Sequence, residues 1–124
     1  MCFQKISFIY YWLTPLVDAT SGEFSHDASN SVIMFMPEVS KTHMGGTMRL
    51  GLRPTIFTED SLGWSKARKL YGGRGKIWER HRHRYEVNPG FVQQLENGAK
   101  EGERMRFVGK DEKGERMQVL ELEG

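Results

Sequence analysis

The run Glu79-Arg80-His81-Arg82-His83-Arg84-Tyr85-Glu86 crowds basic, imidazole and carboxylate side chains into one short segment. In an extended chain, alternation would put His81 and His83 on one face and Arg80, Arg82 and Arg84 on the other. Two histidines at this spacing could supply two metal ligands. A third would have to be Cys2, His26 or His43, none at a recognisable spacing, so no metal is assigned. Basic residues beside an aromatic could grip a phosphate backbone. Glu79 and Glu86 bracket the cluster, however, and the chain is nearly neutral, so no nucleic-acid partner is expected. An arginine fork could instead take a small-molecule carboxylate through two parallel hydrogen bonds. Arginines simply paired with nearby glutamates fit these residues at least as well.

Two further features have residue types that could do chemistry. Met44-Gly45-Gly46-Thr47-Met48-Arg49-Leu50-Gly51 is rich in glycine, but a phosphate-binding loop requires a Gly-Lys-Ser/Thr ending, which is missing. Glycines that permit close strand packing are the better reading. The single cysteine, Cys2, has no glycine elbow around it. A nucleophilic thiol needs a base oriented by a third group, and nothing selects among His26, His43, His81 and His83. No catalytic residue is assigned.

The elements that would carry these residues mix strands with two modest helices. Val32 to Met36 is a continuous apolar run closed by Pro37, which suits a strand buried on both faces. Thr47 to Leu50 and Thr55 to Phe57, separated by Gly51, read as two strands or one bent strand. Ser61 is expected to cap a helix running to Tyr71, with Gly72-Gly73 ending it. Tyr85 to Val87 is a short strand. Asn88-Pro89 starts a helix whose apolar stripe is Phe91, Val92 and Leu95. Met105 to Val108 and Met117 to Leu122 form a hairpin around the charged turn Lys110 to Glu115. The pattern indicates α/β or α+β.

The 124 residues suffice for one domain. Their 38% hydrophobic and 27% charged residues are near soluble-domain values, and a net charge of +2 announces neither a nucleic-acid nor a membrane partner. A lone cysteine fits a reducing, cytoplasmic compartment. Lys5 precedes an apolar run from Ile6 to Val17 that is too short to span a bilayer, which needs about 20 apolar residues. Tyr10, Tyr11, Trp12 and Thr14 are poor filler for a secretory signal, so a buried element is preferred there.

Taken together, the clusters resemble a known family. Asp18-Ala19-Thr20-Ser21-Gly22-Glu23-Phe24 is similar to the Asp-Ala-Asn-Ser-Thr-Glu-Phe stretch of CTP synthases. Met36-Pro37-Glu38, Met44 to Gly51, Lys69-Leu70-Tyr71 and the unbroken Glu79 to Pro89 run follow in family order with compatible spacing. Phe107-Val108-Gly109 and Gly114-Glu115-Arg116-Met117 complete the series. The resemblance covers residues 18–124 as part of a class I glutamine amidotransferase domain, and leaves residues 1–17 unmatched.

The resemblance implies an open α/β sheet with flanking helices. CTP synthases join an amidoligase domain, which uses ATP and Mg to activate and aminate UTP, to a glutaminase domain that releases ammonia from glutamine. By position, Glu23 is implied to bind the amino group of glutamine and Arg84 its carboxylate. The family's nucleophile motif Gly-x-Cys-Leu-Gly-Met-Gln and its His-Pro-Glu do not occur in the sequence, and neither does the amidoligase domain with its phosphate loop. The chain is thus expected to hold glutamine, to need no cofactor of its own, to be inactive alone, and to have CTP synthase subunits as candidate partners. The alternative is a non-catalytic module that senses glutamine or docks onto CTP synthase. Apolar edges such as Val32 to Met36 would be exposed in a truncated sheet, so poor solubility is expected.

Overall fold

The computed structural model describes residues 19–24, 29–36, 49–97 and 104–123. The run Ile6 to Val17, the boundary after residue 17, Cys2, His26, His43 and Gly45-Gly46 fall outside the described residues. Within them, Val32 and Ile33 lie at the centre of strand β2 (Ser31–Phe35), and both are fully buried. Strand β1 (Thr20–Ser21) pairs with β2 in parallel on one side, and β5 (Tyr85–Val87) pairs antiparallel on the other. β2 is therefore the middle strand of a three-stranded sheet, not an exposed edge. The β-branched run predicts this strand correctly, but its expected exposure is wrong because β1 and β5 satisfy both of its backbone edges.

A second, antiparallel sheet has the order β4-β3-β6-β7. It contains β3 (Arg49–Phe57), β4 (Lys76–His83), β6 (Arg104–Lys110) and β7 (Met117–Glu123). The stretch around Gly51 is one strand, with Gly51 at φ +98, a value that glycine tolerates best. The β6–β7 hairpin forms around the charged turn as its sequence predicts.

Helix α2 (Pro89–Asn97) begins where Asn88-Pro89 predicts. The Asn88 carboxamide accepts the Gly90 N–H at 3.0 Å and donates to the Ser31 carbonyl at 3.0 Å, so one residue caps the helix and ties it to β2. Leu95 of α2 packs with Val32, Ile33, Val87, Met105 and Phe107, joining both sheets and the helix in one core. Each fully buried side chain of this size contributes about 1.5–3 kcal/mol. Phe57, Ile77 and Val108 form a smaller cluster on the other side of the second sheet, under Trp64 and Ala67.

The helix expected from Ser61 to Tyr71 is divided. A 3-10 turn covers Glu59–Leu62, and helix α1 starts only at Lys66–Leu70. Ser65 is the cap, its hydroxyl accepting the Arg68 N–H at 3.0 Å. Gly63, at the break, carries the helix-weakening propensity that separates the two turns. Arg68 then reaches back, donating to the carbonyls of Thr58 at 2.9 Å and Gly73 at 3.2 Å. Gly72 and Gly73 end α1 as predicted, with φ of 71 and 74. The whole is an α/β arrangement of mixed sheets with flanking helices.

Candidate functional site

β1 leaves the first sheet through a tight turn at Gly22, Glu23 and Phe24. Gly22 N–H donates to the Ile33 carbonyl at 2.7 Å, and Phe24 N–H returns to the Ser21 carbonyl at 2.9 Å. A Cβ on Gly22 would stand 3.0 Å from the Ile33 carbonyl oxygen and 3.6 Å from the Met34 Cα. The turn is thus pressed against the last residues of β2. It presents Glu23 exposed to solvent, with its backbone N–H on the Ser21 hydroxyl at 3.3 Å.

Arg84 stands on the other side of β2. The basic cluster forms a strand as far as His83, and His81 and His83 do share a face, with Arg80 and Arg82 exposed on the opposite one. Arg84 departs from that alternation. It occupies a bend between β4 of the second sheet and β5 of the first, and its carbonyl accepts the Met36 N–H at 2.9 Å. Glu23, in the turn after β1, and Arg84, in the bend before β5, therefore flank the carboxyl end of β2. Two strand spacings amount to roughly 10 Å, a gap that two long side chains can close over a small zwitterion. In open α/β sheets, this end of the strands is where ligands bind.

The histidines brace this corner. His83 Nδ1 is 3.0 Å from the Tyr85 carbonyl, an acceptor only, so this nitrogen carries the proton. His83 Nε2 then accepts from His81 Nδ1 at 3.3 Å. The two rings pair along β4, and His83 carries the contact across the bend to Tyr85. Among the described residues, no group of three His, Cys, Asp or Glu side chains comes together as a metal site.

The glutamates of the cluster turn elsewhere. Glu79 accepts the Tyr71 hydroxyl. Glu86, buried on β5, accepts Arg116 Nε at 2.8 Å, and Arg116 Nη1 lies 3.4 Å from the buried carboxylate of Asp111. Glu86 and Arg116 both fall in motifs shared with the CTP synthases, yet nothing in the sequence gives either a role. Their separation along the chain hides the pair, and the only sequence signal is the Asp111 turn that holds Arg116 in place. Thr55 and Ser65 also engage charged or amide groups of β7, through Gln118 and Glu121.

No family model matches the chain. It is similar to curated CTP synthases along most of its length. It is 53% identical over 109 residues to the Eremothecium gossypii CTP synthase, covering 86% of this chain and 18% of that protein. To the Schizosaccharomyces pombe CTP synthase it is 52% identical, covering 83% of this chain and 16% of the relative. To the Xenopus laevis CTP synthase 2 it is 46% identical, covering 90% and 18%. The chain thus spans less than a fifth of the length of the curated relatives it matches. Its fold is similar to the Trypanosoma brucei CTPS glutaminase domain with bound acivicin, at a TM-score of 0.71 and 26% identity, covering 94% of this chain and 44% of that one. By sequence and by fold together, the chain matches a part of the glutaminase domain of CTP synthases.

Proposed function

We propose that this chain is the glutamine-holding part of a CTP synthase glutaminase, with Glu23 taking the ammonium group of glutamine and Arg84 its carboxylate. The observation that carries the reading is the placement of these two residues on either side of the carboxyl end of β2. Opposite charges carried inward on long side chains from those two positions would suit the ammonium and carboxylate of one α-amino acid. A planar guanidinium offers two parallel hydrogen bonds to a carboxylate, which a lysine would not. The acivicin bound by the T. brucei glutaminase domain of the same fold supports a ligand site in this domain.

The parent activity is the ATP-dependent amination of UTP to CTP, with glutamine as nitrogen donor. ATP and Mg belong to the amidoligase domain of that enzyme, and no residue described here is assigned to them. The 124 residues contain neither Gly-x-Cys-Leu-Gly nor His-Pro-Glu, and no catalytic role is assigned to any of them. CTP synthase subunits are the partners this reading implies, and a cytoplasmic setting suits the lone cysteine. The match to the glutaminase region itself favours a part of the enzyme over a separate sensing or docking module.

Ligands that lack one end of glutamine test the assignment. Glutaramic acid lacks the amino group and 4-aminobutanamide lacks the carboxylate. Each should bind the chain about tenfold or more weakly than L-glutamine, the usual loss for one charge-assisted contact. Glu23→Gln should remove the preference over glutaramic acid while keeping that over 4-aminobutanamide. A Glu23→Gln chain that still discriminates against glutaramic acid would show that another group takes the ammonium.

A further inference from the structure

The bend that carries Arg84 is held from two directions. On the β4 side, His83 pairs with Arg49 of β3. On the β5 side, Tyr85 and Glu86 pair with Phe35 and Met34 of β2. The side chain of Glu86 adds a link that leaves the first sheet altogether. Its Oε2 takes Arg116 Nε at 2.8 Å, and Arg116 sits at the end of the β6–β7 turn of the second sheet.

That turn is built to aim Arg116. Asp111 Oδ1 accepts the backbone N–H of Glu115 at 2.9 Å and of Arg116 at 3.1 Å. The Asp111 N–H donates to the Arg116 carbonyl at 3.0 Å, and its carbonyl takes the Gly114 N–H at 3.0 Å. Its second carboxylate oxygen lies 3.4 Å from Arg116 Nη1. The guanidinium is thus set between two carboxylates whose side chains are only 9% and 2% exposed, and is itself 21% exposed. A network this buried holds one geometry strongly, because a displaced charge would be left without compensation.

We propose that Arg116 is a positioning residue for Arg84. It fixes Glu86, Glu86 fixes the short strand β5, and β5 fixes the bend from which Arg84 points. Three residues of β5 give only a short ladder to β2, so the strand depends on the added ionic anchor. The consequence for glutamine rests on the function proposed above. The consequence for the bend does not.

Amide hydrogen exchange on the full chain tests this through the Met36 N–H, which donates to the Arg84 carbonyl. In Arg116→Met, Met36 exchange should accelerate by about tenfold or more, as a local opening does, while the amides of Val32 and Ile33 keep their protection. Arg116→Lys should restore part of the protection, since it keeps the charge without the fork. Ser65→Ala, which loosens α1 far from the bend, should leave Met36 unchanged relative to the core amides. Glutamine titrations run in parallel should show Arg116→Met weakening binding about tenfold in the wild-type background and not at all in Arg84→Ala. Met36 protection that is unchanged in Arg116→Met, or lost only together with every core amide, overturns the proposal. A wild-type chain that fails to bind glutamine while Met36 responds as expected overturns the proposed function alone.

Discussion

The backbone N–H of Met36 donates to the carbonyl of Arg84 at 2.9 Å, one residue past the last pair of the β2–β5 ladder. This bond joins the exit of β2 to the point where the chain passes from one sheet to the other. It places Arg84 by main-chain contact, at a bend outside the regular alternation of β4. Gly22 performs the matching task on the opposite side, with its N–H on the Ile33 carbonyl.

Gly109 is the most closely packed of the described glycines. A Cβ there would stand 2.8 Å from both Thr55 Cγ2 and Val119 Cγ2 and 2.9 Å from Val119 Cβ. Gly109→Ala should therefore destabilise the chain by about 1–3 kcal/mol, the usual cost of overpacking. Chemical denaturation measures it, and adding Val119→Ala should recover part of the loss. A Gly109→Ala chain of unchanged stability would mean that β6 and β7 are not this closely packed.

Tyr71 has its phenol pushed above its ordinary value, first by its hydrogen bond to Glu79, then by burial and by the Glu79 charge. A raised value in the folded state means that the contact stabilises fully below about pH 10 and is lost as the pH rises through the higher folded value. Ultraviolet titration of tyrosinate should show a late component that disappears in Tyr71→Phe. In Glu79→Gln the component should move back toward lower pH. A spectrum in which Tyr71→Phe removes an early component would contradict the contact.

The aggregation hazard expected at β2 moves to the paired strands β3 and β4. Leu50, Leu52 and Ile56 of β3 lie across from Arg82, Arg80 and Lys76, and Trp78 across from Pro54, so all share one face. Leu52 is 65% exposed and Trp78 55%. Lys76 Nζ lies 4.8 Å from the Trp78 ring and shields part of it. Leu52→Lys should lower self-association in sedimentation experiments while changing stability by no more than about 0.5 kcal/mol, as exposed substitutions do. Equal self-association in the variant would place the sticky surface elsewhere.

Local signals in the sequence account for much of this fold. Val32-Ile33, Asn88-Pro89 and the Lys110 to Glu115 turn each specify their element through nearest neighbours, and each forms where expected. The failures are long-range. Ser61 and Ser65 are equal candidates for a cap by type. Gly63 breaks the turn between them, and the contact of α1 with Glu121 of β7, whose carboxylate takes the Ala67 N–H at 2.9 Å, fixes the start at Ser65. The pairing of Glu86 with Arg116 was hidden for the same reason, since nothing near either residue names its partner. Arg84 was legible as a residue of interest but not as a bend. The pattern of β4 continues through it, and the change of sheet is set by β2.

A calorimetric titration of the chain with L-glutamine, in the wild type and in Arg84→Ala, tests the glutamine site most directly. Saturable one-site binding is expected in the wild type. A loss of about tenfold to a hundredfold is expected in Arg84→Ala, the size that follows when a charge-assisted fork is removed. Wild-type affinity retained in Arg84→Ala, with the variant folded, would contradict it.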